Sequence, residues 1–450
     1  MVGRPPPLRW LVVALGCVGL AALPAAGRPA RAAGFAILET SASGLGTAFA
    51  GTAARAEDAS TVFTNPAGMV ALDANQISVA GHLLLPRADY GDDGSTIVTG
   101  EPLLGDEHDD GAETVLVPNL YAVYGPIPRL KLGLAVNAPF GLATDWDDDF
   151  VGRYHALRSE VRTININPSV AFALTDWLAV GAGLNVQYID AELTNAIDLG
   201  TIAVLQLGQP AAAALGLAPQ QNDGFARVEG HDWSLGYNLG VLVEPRPGTR
   251  VGLAFRSKVS HDLNGEANFR VPPEALPLTA GGAFTDTGAS AKVDLPETVT
   301  LSVQHRIGRR WAVLGDIAWT NWSHFDELRI GFANGQPDSV RPEDWHDSFR
   351  YAVGATYDWS DNLVLRVGLA FDESPVPDRT RTPRIPDGDR FWTALGFGYR
   401  FGGRASLDLG YAHLFVEDGD IDLTDPVSGN LRGSTDNAVD IVSAQFNFRF

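Results

Sequence analysis

The stretch "AVDIVSAQFNFRF", residues 438–450, closes the sequence and decides how the rest is read. Val442, Ala444, Phe446, Phe448 and Phe450 alternate with Ser443, Gln445, Asn447 and Arg449. A strand turns successive side chains to opposite faces, so this one has an apolar face and a polar face. Strands of this kind closed into a barrel in a bilayer turn the first set to lipid and the second to the lumen. Residues 391–401, "FWTALGFGYRF", repeat the pattern. Phe391, Leu395, Phe397, Tyr399 and Phe401 oppose Ala394, Gly396, Gly398 and Arg400.

Working back from this end, the alternation predicts fourteen strands: 76–90, 114–124, 130–137, 161–174, 177–190, 230–244, 249–263, 293–307, 311–331, 345–359, 362–371, 390–401, 404–417 and 438–450. A tilted strand needs roughly 9–11 residues to cross a bilayer, and most of these suffice. Connections after the even strands are tight: 125–129, 175–176, 245–248, 308–310, 360–361 and 402–403. Those after the odd strands are long and polar. Short turns at one end and long loops at the other are the layout of an outer-membrane barrel. An even strand count closes it without a free edge. The fold class is therefore all-β, a 14-stranded antiparallel transmembrane barrel. A secreted β-sandwich is the soluble alternative. Pro118 and Pro168 fall inside strands 2 and 4, where each withholds a ladder donor. They are expected near a rim, at a bulge, or where pairing breaks.

The sequence opens with a secretory leader. Arg4 and Arg9 precede an apolar run from Trp10 to Pro24, and Ala30-Arg31-Ala32 offers a small-residue cleavage site. The expected division is 1–32 signal peptide, 33–74 N-terminal segment, 75–450 barrel. Cleavage removes four arginines and no acid, which takes the net charge of -21 to -25. That balance argues against nucleic acid, which needs Lys/Arg patches. Cys17 is the only cysteine and lies in the leader. The mature chain thus has no disulfide and no thiolate metal site.

Catalytic signatures are absent. There is no G-x-S-x-G, no H-E-x-x-H and no phosphate-binding loop, and the nine histidines are scattered. No enzymatic activity and no cofactor are expected. The loops are acidic, with nine Asp or Glu and one basic residue between Arg87 and Glu113. Asp418, Asp420 and Asp422 imitate the start of a calcium loop. Leu423 replaces its required glycine, and Gly429 stands where its bidentate glutamate belongs.

Residues 33–74 are poor in charge and rich in Gly, Ala, Ser and Thr. They bury too little to fold alone. Fourteen strands leave a lumen wider than a side-chain-filled barrel. An N-terminal plug inside the lumen satisfies both facts; a disordered periplasmic arm is the alternative.

Here an ordered series of motifs resembles a known family. The series is Gly34-Phe35, Ser43-Gly44-Leu45-Gly46, Ala56-Glu57-Asp58-Ala59 and Asn65-Pro66-Ala67, then Phe140-Gly141-Leu142-Ala143-Thr144, "NWSHFDEL" at 321–328 and "SPVPDRTRTPRIPDGDRFW" at 374–392. It is similar to the FadL/TodX-type outer-membrane transporters of long-chain fatty acids and aromatic hydrocarbons. The terminal Phe450 likewise resembles the signal read by the barrel-assembly machinery. The resemblance implies a fourteen-stranded barrel plugged by an N-terminal hatch. It also implies passive uptake by extracellular capture, hatch movement and lateral exit through a gap at a kinked third strand. Phe35, Asn65, Pro66 and Ala67 are the expected hatch residues along the path. Asn137, Pro139, Phe140 and Gly141 are the expected border of the gap, since Pro139 removes a donor and Gly141 weakens the strand; a plain strand end turning into the loop is the alternative. Asn65 is expected to bond exposed backbone beside that gap, with Pro66 the fixed bend.

Apolar loop stretches 200–219 and 271–284 are candidates for a capture rim. Arg153 and Arg158 are candidates for a carboxylate partner. The expected partners are hydrophobic small molecules, outer-membrane lipid and lipopolysaccharide, with a monomeric barrel. An aromatic-hydrocarbon channel of the same family, a nonspecific porin and a surface adhesin are the competing readings.

Overall fold

Residues 34–450 are described by the structure, a computed structural model. The expected leader, 1–32, lies outside the described residues. Fourteen antiparallel strands form one closed barrel. They are β1 (Gln76–Asp92), β2 (Val115–Ile127), β3 (Leu130–Asn137, then Gly141–Asp145), β4 (Arg158–Ala173), β5 (Leu178–Asp198), β6 (Asp223–Arg246) and β7 (Thr249–Arg256, then Val259–Arg270). They continue with β8 (Thr287–Leu295, then Thr298–Ile307), β9 (Trp311–Thr320, then Glu327–Phe332), β10 (Ser339–Pro342, then Ser348–Asp358), β11 (Leu363–Asp372), β12 (Arg390–Phe401), β13 (Ala405–Val416) and β14 (Gly429–Arg449). Pairing of β1 with β14, from Gln76–Arg449 to Asp92–Gly433, closes the wall.

Alternation in the last strand sorts as the sequence predicts. Val442 and Phe446 are about half exposed, at 49% and 48%, whereas Ser443, Gln445 and Asn447 are buried. The polar face is buried because the lumen is filled. Residues 34–72 lie inside the barrel as three single-turn helices, α1 (Ala42–Leu45), α2 (Thr52–Arg55) and α3 (Thr61–Thr64), and a 3-10 turn, Pro66–Ala71. None is long enough to stand alone. Side chains of the wall satisfy this plug's backbone instead. Gln445 Oε1 accepts from the Ala42 amide at 2.9 Å, Ser302 Oγ from the Ala53 amide at 3.0 Å, and Arg350 donates to the Ala48 carbonyl at 2.6 Å. Arg366 bridges Asp408 at 2.8 Å and Glu57 of the plug at 3.2 Å. Wall glycines admit the plug backbone closely. A Cβ on Gly252 would sit 2.0 Å from the Ala53 carbonyl oxygen, and one on Gly368 2.0 Å from the Thr47 carbonyl carbon.

Several predicted strands have other limits. Strands 5, 6 and 14 run well past the predicted ends into the extracellular region, where alternation gives way to loop-like composition. Strand 9, predicted unbroken over 311–331, is interrupted by a 3-10 turn at Trp322–His324. Both prolines lie where a ladder fails. The β2–β3 ladder ends at Leu120–Val136, two residues short of Pro118. Pairing of β4 with β5 skips Asn167 and Pro168. There Asn167 Nδ2 donates to the Leu184 carbonyl at 2.9 Å, supplying a donor beside the proline that has none.

Candidate functional site

The third strand breaks between Asn137 and Gly141. Against β4 the register runs Asn137–Asn165 and resumes at Gly141–Arg162, so three residues of β3 face two of β4. That is a bulge of one residue. Thr163 of β4 absorbs it: its Oγ1 accepts from the Phe140 amide at 3.0 Å and donates to the Phe140 carbonyl at 2.6 Å. Asn137 Oδ1 accepts from Asn165 Nδ2 at 3.2 Å just below. Pro139 is buried, and no ladder joins Ala138–Phe140 to β2.

The start of the plug takes the place of that missing partner. Ile37 donates to the Pro139 carbonyl at 2.9 Å, Gly141 donates to the Phe35 carbonyl at 3.0 Å, and Ala36 bridges to Phe140. Phe35 then points into a cage of aromatic rings. Its ring centroid is 5.0 Å from Trp322, 5.7 Å from Trp345, and 6.0 Å from each of Phe140 and Phe325. Edge-to-face pairs of this kind are worth about 0.5–1.5 kcal/mol each beyond their buried area. Asp387 fixes the start of the plug by accepting from the Gly34 amide at 2.8 Å.

A cavity of about 540 Å³ lies at the break. Its lining joins two sides of the wall. Trp392, Leu414 and Ile441 line it from the lumen, where all three are buried; Leu116 and Ile164 line it from the lipid side, 66% and 50% exposed. Phe35 to Glu39 of the plug and Asn137, Phe140 and Gly141 stand between them.

The structure thus brings Phe35, Asn137, Pro139, Phe140 and Gly141 together, but it moves the Asn-Pro-Ala turn elsewhere. Asn65 does bond wall backbone, donating from Nδ2 to the Val241 carbonyl of β6 at 3.1 Å and to the Ala53 carbonyl at 2.6 Å. Its Oδ1 accepts from the Ala67 amide at 3.1 Å. Pro66 and Ala67 pack on Gly181 of β5. The turn therefore seats the plug on β5 and β6, not beside the gap in β3. The plug's first residues, not this turn, are the ones that pair with the broken strand.

The two arginines proposed from sequence are otherwise engaged. Arg153 binds Asp223 at 3.0 Å, and Arg158 binds Glu113, Asp145 and Glu160. Arg384 is the cation that sequence reasoning passed over. It lies in the loop before β12, largely buried, and donates to Ser159 Oγ at 3.0 Å with no carboxylate within 4.0 Å among the described residues. Burial and the neighbouring Arg341 guanidinium pull it down to about 9. Ile385 beside it packs on the Phe35 cluster. Burial pushes Glu343, whose carboxylate accepts from Trp345 Nε1, up to about 7. Trp345 and Arg384 were hidden because a single tryptophan or arginine in a loop carries no periodicity. Only "NWSHFDEL" and the Pro-rich stretch at 374–392 pointed near them.

At the extracellular end, the helices α4 (Leu199–Leu207) and α5 (Gln209–Ala214) fold over Ala275. Leu199, Ile202, Ala203, Ala212 and Leu217 share one apolar cluster with it, so both predicted rim stretches meet. Asp418 precedes, and Asp420 and Asp422 lie on, a strand over Gly419–Asp425, and Asp422 pairs with Arg432. No group of three metal-ligating side chains occurs among the described residues.

A family model described as outer membrane protein transport protein (OMPP1/FadL/TodX) matches residues 24–450. The long-chain fatty acid transport protein of Escherichia coli K12 is 33% identical over 397 residues, covering 85% of this chain and 87% of its own. The crystal structure of a Pseudomonas aeruginosa FadL homologue superposes with a TM-score of 0.86 at 25% identity, covering 93% of this chain and all of that one. The toluene transporter TodX of Pseudomonas putida shares the fold at a TM-score of 0.67 and 17% identity, over 87% and 94% of the two chains.

Proposed function

Because the chain belongs to the OMPP1/FadL/TodX family of outer-membrane transport proteins, we propose that it carries long-chain fatty acids, or closely related apolar acids, inward across the outer membrane without coupled energy. The wall-crossing cavity beside β3 is the observation that carries this reading. Lipopolysaccharide excludes apolar solutes, and an aqueous pore gives them no favourable environment. An apolar cavity does, at about 0.8 kcal/mol for each CH₂ it buries. The clustered loops at α4 and α5 capture the solute. It passes to the Phe35 cage, displaces the first plug residues from β3, and leaves sideways between β2 and β3 into lipid. The remainder of the plug stays seated on its wall contacts.

Arg384 favours an acid over a neutral hydrocarbon. Its guanidinium is partly buried and forms no ion pair among the described residues, with Glu343 as a more distant counter-charge, so an anion would complete it. The relatives named for toluene leave the aromatic-hydrocarbon reading as the runner-up, and the aromatic cage suits it. A strain lacking its own transporter of this family, expressing this protein, separates the two. Labelled oleate should accumulate faster than labelled toluene. The reverse order would overturn the fatty-acid reading, and a large stable conductance in planar bilayers would replace both with an open pore.

A further inference from the structure

The charge of the molecule is not spread evenly. The sequence holds 54 acidic and 33 basic residues. Yet the end formed by the short turns is basic. Stretches 73–76, 125–131, 174–177, 244–250, 305–311, 357–363, 400–405 and 449–450 contain ten Lys or Arg against five Asp or Glu. Short turns face the periplasm in an outer-membrane barrel.

Several of these cations lack partners. Arg246, Arg309 and Arg404 are exposed, and no carboxylate lies within 4.0 Å of them among the described residues. Among the described residues the Arg310 side chain hydrogen-bonds only the Tyr357 hydroxyl, at 3.4 Å. They also sit at a defined depth. Trp311 follows Arg310 in sequence and is 49% exposed; Phe401 follows Arg400 and is 49% exposed. Trp177 and Trp359 stand at two further turns, also exposed. Outward aromatic residues at this level mark the membrane–water interface. The unpartnered guanidinium groups therefore lie just beyond the lipid boundary.

We infer that the periplasmic end is a docking collar for the head groups of anionic phospholipids in the inner leaflet. Their depth, beside the outward aromatic residues of the membrane–water interface, selects lipid over an acidic protein. The cations occupy the β6–β7, β8–β9 and β12–β13 turns, an arc of a little under half the circumference. Guanidinium forks match phosphate geometry, and long arginine stems reach from the apolar belt to the head-group layer. The collar holds the barrel at fixed depth, so that the cavity between β2 and β3 opens within the bilayer. It does not depend on which solute is carried.

The test is native mass spectrometry of the purified barrel offered equal amounts of phosphatidylglycerol and phosphatidylethanolamine. Each arginine near an anionic surface is worth roughly fivefold in partitioning. The wild type should retain phosphatidylglycerol in at least roughly fivefold excess. Combining Arg246→Gln, Arg309→Gln, Arg310→Gln and Arg404→Gln should bring the two lipids close to parity. Equal retention by the wild type, or an undiminished excess in the variant, overturns the inference. Should that variant fail to fold, raising salt from about 0.05 to 0.5 M decides the matter on the wild type. An electrostatic collar loses its excess, and an excess that survives overturns the inference.

Discussion

The amide of Ile37 donates to the carbonyl of Pro139 at 2.9 Å, so the plug's first residues complete the wall where the third strand breaks. The chain thereby closes its own gap with a removable strand fragment. Ile37→Pro deletes that donor without touching the aromatic cage. One such bond contributes about 1 kcal/mol net, so the fragment should detach roughly fivefold more often. Entry of an apolar fluorescent probe through the variant should rise by a similar factor, with the heat-modifiable gel mobility of a folded barrel retained. Unchanged entry would show that the fragment is not what covers the gap.

Gly141 is the position at which the gap can be narrowed from within. A Cβ there would lie 2.6 Å from Ile37 Cδ1 and 3.5 Å from the Val161 carbonyl oxygen. Gly141→Val therefore crowds the cavity beside its lipid-facing mouth. Oleate uptake should fall tenfold or more while binding to the purified protein persists, because capture lies upstream of exit. Loss of binding and uptake together would place the variant's effect at the capture step instead.

Asn65 is fully buried and joins three backbone groups of plug and wall. Asn65→Ala removes the bonds to the Val241 and Ala53 carbonyls and strips the Ala67 amide of its side-chain acceptor, at about 1–3 kcal/mol for a buried unsatisfied group. Hydrogen exchange of residues 52–67 should speed by one to two orders of magnitude. Exchange of residues 34–39, held separately at β3, should change much less. Equal acceleration of both would mean the plug moves as one body.

What the sequence made legible was whatever repeats. Val442, Phe446 and Phe448 against Ser443 and Asn447 carry period two without help from any partner, and the tight turns stand out by Gly and Pro. The break at Pro139 was visible because proline cannot serve a ladder. The occupant of the break was not visible. Phe35 and Asn65 are some thirty residues apart in a segment without periodicity, and either can reach a wall. Their assignment depends on which wall glycines admit the backbone, and a Cβ on Gly240 of β6 would fall 1.9 Å from Asn65 Oδ1. That is a long-range fit, and it placed the turn on β6. Arg384 was hidden for the same reason, since a cation's lack of an ion pair is a property of the folded chain.

Arg384 separates the two substrate classes. Arg384→Gln keeps a donor toward Ser159 and removes the charge. Uptake of oleate should fall roughly tenfold, the scale of one charge-assisted bond to a carboxylate. Uptake of toluene should change less than twofold. Parallel losses would show that Arg384 only holds the loop against β4.

Asp389 makes the loop that grips the plug sensitive to pH. Its Oδ1 accepts from the Ser374 amide at 2.9 Å, and Ser374 Oγ donates to Asp387, which in turn holds Gly34. Burial first, then Glu417, Glu373, Asp387 and Asp372, push the Asp389 carboxyl up to about 8. An unfolded aspartate releases its proton near 3.9. Between these values the folded loop binds a proton that the opened loop does not. Stability of the loop therefore falls as pH rises from about 4 to about 8, the opposite of a salt-bridged carboxylate. Exchange of residues 373–389, corrected for intrinsic rates, should be faster at pH 8.5 than at pH 5.5. Asp389→Asn cannot ionise and should flatten that difference. A pH dependence that survives the substitution would assign it to another group.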